Sequence, residues 1–98
     1  MAEDIPHSKP YIRDMEIVWD EPKRRANLAK HGMDFVDLDL RFFEEAVIGP
    51  AKNGRRLAVG RLDGIVTVVF AHLGTEGISV ISMRPASARE RKNHGETL

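Results

Sequence analysis

The sequence predicts an α+β fold in which two helices precede a run of antiparallel strands and a short helix closes the chain. Three observations predict it. Residues 20–45 carry helix caps and apolar positions at helical spacing; from Ala46 the apolar period becomes that of strands, broken by Asn-Gly and Asp-Gly turn signals; and a Ser-x-x-Glu capping box follows the last strand. Helices grouped before strands form a layer fold, here with both helices covering one face of a twisted, mainly antiparallel sheet.

The elements follow in order. Residues 1–14, "MAEDIPHSKPYIRD", combine two prolines with charges and show no period, which reads as a flexible arm. "MEIVW" is a short strand. Asp20 is a good N-cap, Pro22 is tolerated in a first helical turn, and Gly32 ends the first helix after about His31. Asp34 caps a second helix, about Phe35 to Glu45, with Asp37 in the capping-box position. That helix places Phe35, Val36, Leu38, Leu40, Phe42 and Phe43 on one broad arc, the main core-forming surface, with Asp39 inside the arc at its edge or paired with a cation from the first helix.

After "AVI" come the turn residues Gly49-Pro50 and Asn53-Gly54, then three strands in a meander, "RRLAVGR", "IVTVVFAH" and "ISVISMR". With Asp63 and Gly64 as the two turn residues of the first hairpin, Arg61 lies opposite Val66, on the face shared by Leu57, Val59, Val68 and Phe70. The second hairpin has two solutions. A two-residue Gly74-Thr75 turn puts Ile81 and Met83 on the core face and Ser82 with Arg84 on the other; a five-residue loop puts Arg84 beside Val66 near Arg61. The first builds the better core, and a one-residue slip exchanges the faces. Ser87 and Glu90 then open a basic helix containing Arg89, Arg91 and Lys92, and residues 95–98 form a tail.

At 98 residues the chain forms one domain, read as residues 15–94. The absence of cysteine excludes disulfides and thiolate metal sites and fits a reducing cytoplasm. The longest apolar run, Ile65 to Ala71 with Thr67 inside it, is far short of the ~20 residues a membrane helix needs. Formal net charge is zero, but residues 1–50 carry 7 Lys/Arg against 11 Asp/Glu and residues 51–98 carry 8 against 4. A neutral total argues against tight non-specific binding of nucleic acid and leaves room for a local basic surface.

Chemistry concentrates in two places. On the first helix Lys23, Asn27, Lys30 and His31, spaced four, three and one apart, form a row of hydrogen-bond donors, either an ordinary solvated face or a wall that holds an anion. Arg84 ends its strand just before a proline and a helix. Its guanidinium fork matches an oxyanion or phosphate, and the amides opening the next helix favour the same charge. His72, at a strand end, reads as structural. No Gly-rich phosphate loop, His-x-x-x-His pair, carboxylate cluster at metal spacing or Gly-x-Ser-x-Gly elbow occurs, so neither a metal nor a cofactor is implied.

The blocks "WDEPKRRANLAKHGMDF" and "ISMRPASARERKNH", with the spacing between them, resemble the BrnT family of bacterial type II toxins over about Met15 to His94. Their motifs are Trp-Asp/Glu-x-x-Lys-x-x-x-Asn-x-x-Lys-His-Gly and Ile-Ser-x-Arg-x-Ala. The resemblance implies a RelE-like fold, ribonuclease activity that lowers translation, and neutralisation by a BrnA-type antitoxin carrying a DNA-binding domain. The family blocks fall on Trp19, Lys23, Asn27, Lys30, His31 and Gly32, and on Ser82, Arg84 and Ala86, while Pro85 stands where many relatives have a second arginine. On this reading Arg84, Arg61 and His31 are catalytic, and Lys23, Asn27, Lys30 and Ser82 bind substrate. The rival is a non-catalytic module whose basic surface binds RNA or an acidic protein.

Overall fold

The computed structural model describes residues 15–95. The arm expected over residues 1–14 lies outside the described residues, as does the tail beyond Gly95. Strand β1 (Glu16–Trp19) leads into α1 (Glu21–His31); a 3-10 turn (Phe35–Asp37) and α2 (Leu40–Glu45) follow. Then come β2 (Val47–Pro50), a second 3-10 turn (Lys52–Gly54), β3 (Arg56–Arg61), β4 (Ile65–Leu73), β5 (Gly77–Pro85) and α3 (Ala88–Gly95). Strands β2 to β5 form the meander that the turn residues predict. β1 joins in parallel beside β5, so the sheet is mixed, in the order β1-β5-β4-β3-β2.

The single second helix expected over Phe35 to Glu45 is two pieces. Leu38 and Asp39 between them are extended, with ψ of 142° and 173°. Aspartate chemistry explains the break, because a carboxylate that bonds nearby amides competes with the helix ladder. The Asp34 side chain accepts from the Val36 N–H at 3.2 Å, and Asp39 accepts from the Phe42 N–H at 2.9 Å. Asp39 is thus the N-cap of α2 and not a residue of an apolar arc. Val36 leaves the arc as well and is 54% exposed, whereas Phe35, Leu38, Phe42 and Phe43 are buried.

Both hairpin registers differ from expectation, and the differences decide which side chains share a face. The first loop has three residues, Leu62 to Gly64, so Arg61 pairs with Ile65 and not Val66. Leu62 leaves the ladder, donates its N–H to the Gly64 carbonyl at 2.8 Å and packs against the core. The slip moves Arg61 to the face of Leu57, Val59, Ile65, Thr67 and Val69. The second turn also has three residues, with Leu73 paired to Gly77. Continued without interruption, that register would set Arg84 beside Val66 on the core face. A bulge at Ile81 prevents it: Phe70 pairs with Val80 and Val69 with Ser82. Met83 therefore enters the core while Ser82 and Arg84 leave it, and Ile81, expected in the core, is half-buried.

The core lies between the sheet and the segment from the first 3-10 turn through α2. Phe43 stacks edge-on against both Phe42 and Phe70, at centroid distances of 5.3 and 5.2 Å, and Trp19 meets Phe35 at 6.1 Å. Gly60 lets the Phe42 ring lie directly against β3, since a Cβ there would sit 2.9 Å from that ring. On the opposite face α3 packs over β3 and β4 and buries Thr67 completely.

Candidate active site

Helix α1 forms where its caps direct. The Asp20 carboxylate accepts from the Lys23 N–H, Pro22 fills the first turn, and Gly32 at φ 68° returns its N–H to the Leu28 carbonyl at 2.8 Å. Asn27 is its one buried residue, so apolar burial does not hold this helix. Polar anchors do. Arg24 turns inward, donating from Nε to Glu21 at 3.0 Å and from Nη1 to Asp34 at 3.0 Å; the Trp19 Nε1–H also reaches Glu21, at 3.2 Å. The Arg24 and Trp19 bonds hold the Glu21 carboxyl at about 2, well below the ordinary carboxylate range. Of the two places expected for Asp39, at the edge of the arc or paired with a cation of the first helix, the pairing is not the one seen: Arg24 of that helix meets Asp34.

With Arg24 drawn away, a second set of polar side chains on α1 faces β5. Lys23, Ala26, Asn27, Lys30 and His31 line a groove of about 300 Å³, closed on the sheet side by Ile81 and Ser82. Two consecutive strand residues cannot line one wall of a regular strand, whose side chains alternate; the bulge at Ile81 allows it. The groove thus gathers five of the seven residues the sequence singles out. Asn27 stands apart from the donor row in one respect: its amide donates to the Met33 carbonyl at 3.1 Å and accepts from the Met83 N–H at 3.0 Å. Both ends are committed to main chain, so it fastens α1 to β5.

Arg84 lies on the same side of β5 as Ser82, two residues farther along. Its guanidinium is bidentate to Glu90, with Nη1 to Oε1 at 2.8 Å and Nη2 to Oε2 at 3.0 Å. Glu90 Oε1 also accepts from the Thr67 hydroxyl and the Ser87 N–H, both at 2.8 Å, and the Glu90 N–H donates to Ser87 Oγ at 3.2 Å. The capping box read from the sequence is therefore present. Its carboxylate does a second job that the sequence reading missed. The signal lay in the lone hydroxyl of "IVTVVF": the correct register sets Thr67 directly opposite Arg84. Arg61 shares this face but lies two strands away, at ~12 Å from two strand spacings and one two-residue step. The structure does not bring it to the groove.

The Arg84 bonds, assisted by the Ser87 N–H and the Thr67 hydroxyl, outweigh burial and hold the Glu90 carboxyl at about 2, below its ordinary 4.5. A carboxyl lowered on folding stabilises fully above its unfolded value and loses that contribution as pH falls through its folded value. The window here runs from about 4.5 down to about 2. Glu90→Gln is expected to flatten this acid limb by roughly 2 kcal/mol, a figure discounted because the Arg84 side chain is partly exposed. Urea unfolding from neutral to acid pH measures the difference; parallel curves for the two proteins would refute it.

Among the described residues no three His, Asp or Glu side chains converge as metal ligands do. A family model described as "Ribonuclease toxin, BrnT, of type II toxin-antitoxin system" matches residues 19–90. The chain belongs to this family. The match spans both the groove and the Arg84–Glu90 pair. A 1.1 Å crystal structure of the Brucella abortus ribonuclease toxin BrnT is similar to this chain at 51% identity and a TM-score of 0.71, covering 74% of this chain and 97% of that one. A search of curated proteins gives no match. As a BrnT-family member the chain is an endoribonuclease toxin of a type II toxin-antitoxin system, with RNA as substrate and an antitoxin as partner. Among the described residues no helix is long and apolar enough to cross a membrane.

Proposed function

We propose that this BrnT chain cleaves RNA without a metal ion, using the substrate's own 2′-hydroxyl as nucleophile, and that the cleavage lowers translation. The observation that carries this reading is the groove in which Lys23, Lys30 and His31 of α1 face Ser82 of β5, with Arg84 next along the strand. Attack of the 2′-oxygen on the adjacent phosphorus breaks the bond to the 5′-oxygen. It requires an acceptor for the hydroxyl proton, cationic groups to offset the negative charge on the oxygens of the pentavalent phosphorus, and a proton for the departing oxygen.

His31 takes the proton-transfer role, because imidazole is the side chain that changes charge nearest neutrality. Arg84 supplies charge to the transition state at the groove, and Arg61, farther along the same face, contributes long-range attraction for the anionic substrate. Lys23 and Lys30 hold flanking phosphates, Ser82 offers a hydroxyl on the opposite wall, and Asn27 keeps the two walls in place. The wider reading has the working domain at residues 15–94 on a RelE-like fold, acting in the cytoplasm. A BrnA-type antitoxin with a DNA-binding domain neutralises it in a hetero-oligomer.

Incubating the purified protein with RNA in excess EDTA tests the central claim. The expected result is cleavage at an undiminished rate. Cleavage that stops in EDTA and returns with added magnesium would overturn metal independence, and tight binding without cleavage under either condition would favour the interaction module.

A further inference from the structure

The ion pair between Arg84 and Glu90 raises a question about the phosphate contact assigned to Arg84, since a carboxylate already fills one fork of the guanidinium. The donors resolve it. An arginine carries five N–H groups, and two of its edges each present a parallel pair of them. Glu90 takes the end edge, one hydrogen from Nη1 and one from Nη2, and the other Nη1 hydrogen points to the Pro85 carbonyl at 3.3 Å. The side edge, made of Nε–H and the remaining Nη2–H, has no acceptor among the described residues. It belongs to a side chain that is 35% exposed.

We propose that Glu90 is a positioning residue, gripping Arg84 by its end edge so that the Nε and Nη2 side edge is presented to a phosphate oxygen of RNA bound in the groove. The inference rests on the role assigned to Arg84 above and adds how that role is achieved. Three elements build the grip: Arg84 comes from β5, Thr67 from β4, and Ser87 with Glu90 from the start of α3. Glu90 Oε1 receives three donors, which fixes its rotamer before any ligand arrives. A guanidinium held in this way spends little entropy on meeting a phosphate, and preorganised charge of this kind favours a transition state.

Glu90→Gln separates gripping from folding. The glutamine oxygen still accepts from the Ser87 N–H and the Thr67 hydroxyl, preserving the cap, but its NH₂ faces a guanidinium that can only donate. The expected result is a kcat lower by ~10-fold or more, with a smaller change in KM, in a protein that still unfolds cooperatively at a midpoint lowered only by the lost ion pair. A second measurement starts from the wild-type protein. In wild-type protein labelled with ¹⁵N arginine, an oligonucleotide carrying 2′-deoxy at the scissile position cannot be cut, and binding it is expected to shift the Arg84 Nε–H resonance. In Glu90→Gln that resonance is expected to broaden and respond less.

Unchanged or raised cleavage in Glu90→Gln, beside a loss in Arg84→Ala, would sink the proposal alone; a rise would make Glu90 a competitor of the substrate. An Arg84 Nε–H resonance that saturating oligonucleotide leaves unmoved would also overturn it. Normal cleavage by Arg84→Ala would remove both the proposal and the reading beneath it.

Discussion

Arg84→Ala is expected to lower RNA cleavage by ~100-fold or more and to end growth arrest on expression, with the fold retained. The side chain leaves the core at the Ile81 bulge, so its removal opens no apolar cavity. It does leave Glu90 with the Thr67 hydroxyl and the Ser87 N–H as its remaining donors among the described residues. Losing one partner of a partly buried charge pair costs ~1–2 kcal/mol here, since Glu90 keeps those two bonds and some exposure. Thermal unfolding should accordingly show a modestly lowered transition, separable from the loss of activity. Arg84→Lys sharpens the test. An ammonium keeps the charge but cannot grip Glu90 through one edge while offering a second, so it should stay largely inactive. If Arg84→Ala melts near the wild-type temperature yet cleaves RNA at the wild-type rate, the strand end is not catalytic and the α1 wall carries the chemistry alone.

What could be read from the sequence divides along the range of the forces involved. Asp20, Pro22 and Gly32 act within a turn of themselves, and they set α1 where the structure has it. Ser87 and Glu90 are equally local, and their reciprocal cap is present. The donor row on α1 followed from helical spacing, and its assignment with Ser82 to substrate binding came with the family resemblance; the structure brings the row and Ser82 together at the groove. The second helix failed because an apolar period is blind to competition. Phe35 to Phe43 fit a helical arc, yet Asp34 and Asp39 each offer a carboxylate to an amide two or three residues on, and those local bonds divide the segment. Register failed for a different reason. Whether Leu62 belongs to a turn or a strand depends on the core it packs against, and the Ile81 bulge answers a choice between burying Met83 and burying Arg84. Neither choice is visible until both sheet faces exist. The parallel pairing of β1 with β5 joins segments about sixty residues apart, which no local signal encodes.

Asn27→Ala is expected to destabilise the protein by ~2–4 kcal/mol, the largest stability effect among the polar residues of the groove. β1 covers the outer edge of β5 only from Gly77 to Val80. Beyond Val80 that edge has no strand partner among the described residues, and the Met83 N–H points outward there, where Asn27 Oδ1 accepts it at 3.0 Å. The Asn27 Nδ2–H meanwhile satisfies the Met33 carbonyl just past the end of α1, at 3.1 Å. One side chain, 7% exposed, thus replaces the missing strand and ties the helix across 56 residues of chain. Alanine leaves a donor and an acceptor without partners where water has poor access, each costing ~1–3 kcal/mol before relaxation. For a domain of this size the thermal midpoint should fall by ~8 °C or more. Asn27→Asp should recover only part of the loss, because its carboxylate accepts from Met83 but faces the Met33 carbonyl oxygen without a proton to offer. Hydrogen exchange gives the direct reading: the Met83 amide, protected in the wild type, should exchange rapidly in Asn27→Ala. An unchanged midpoint together with a Met83 amide still protected would return Asn27 to the exposed donor row and leave the attachment of α1 to Arg24 and the caps.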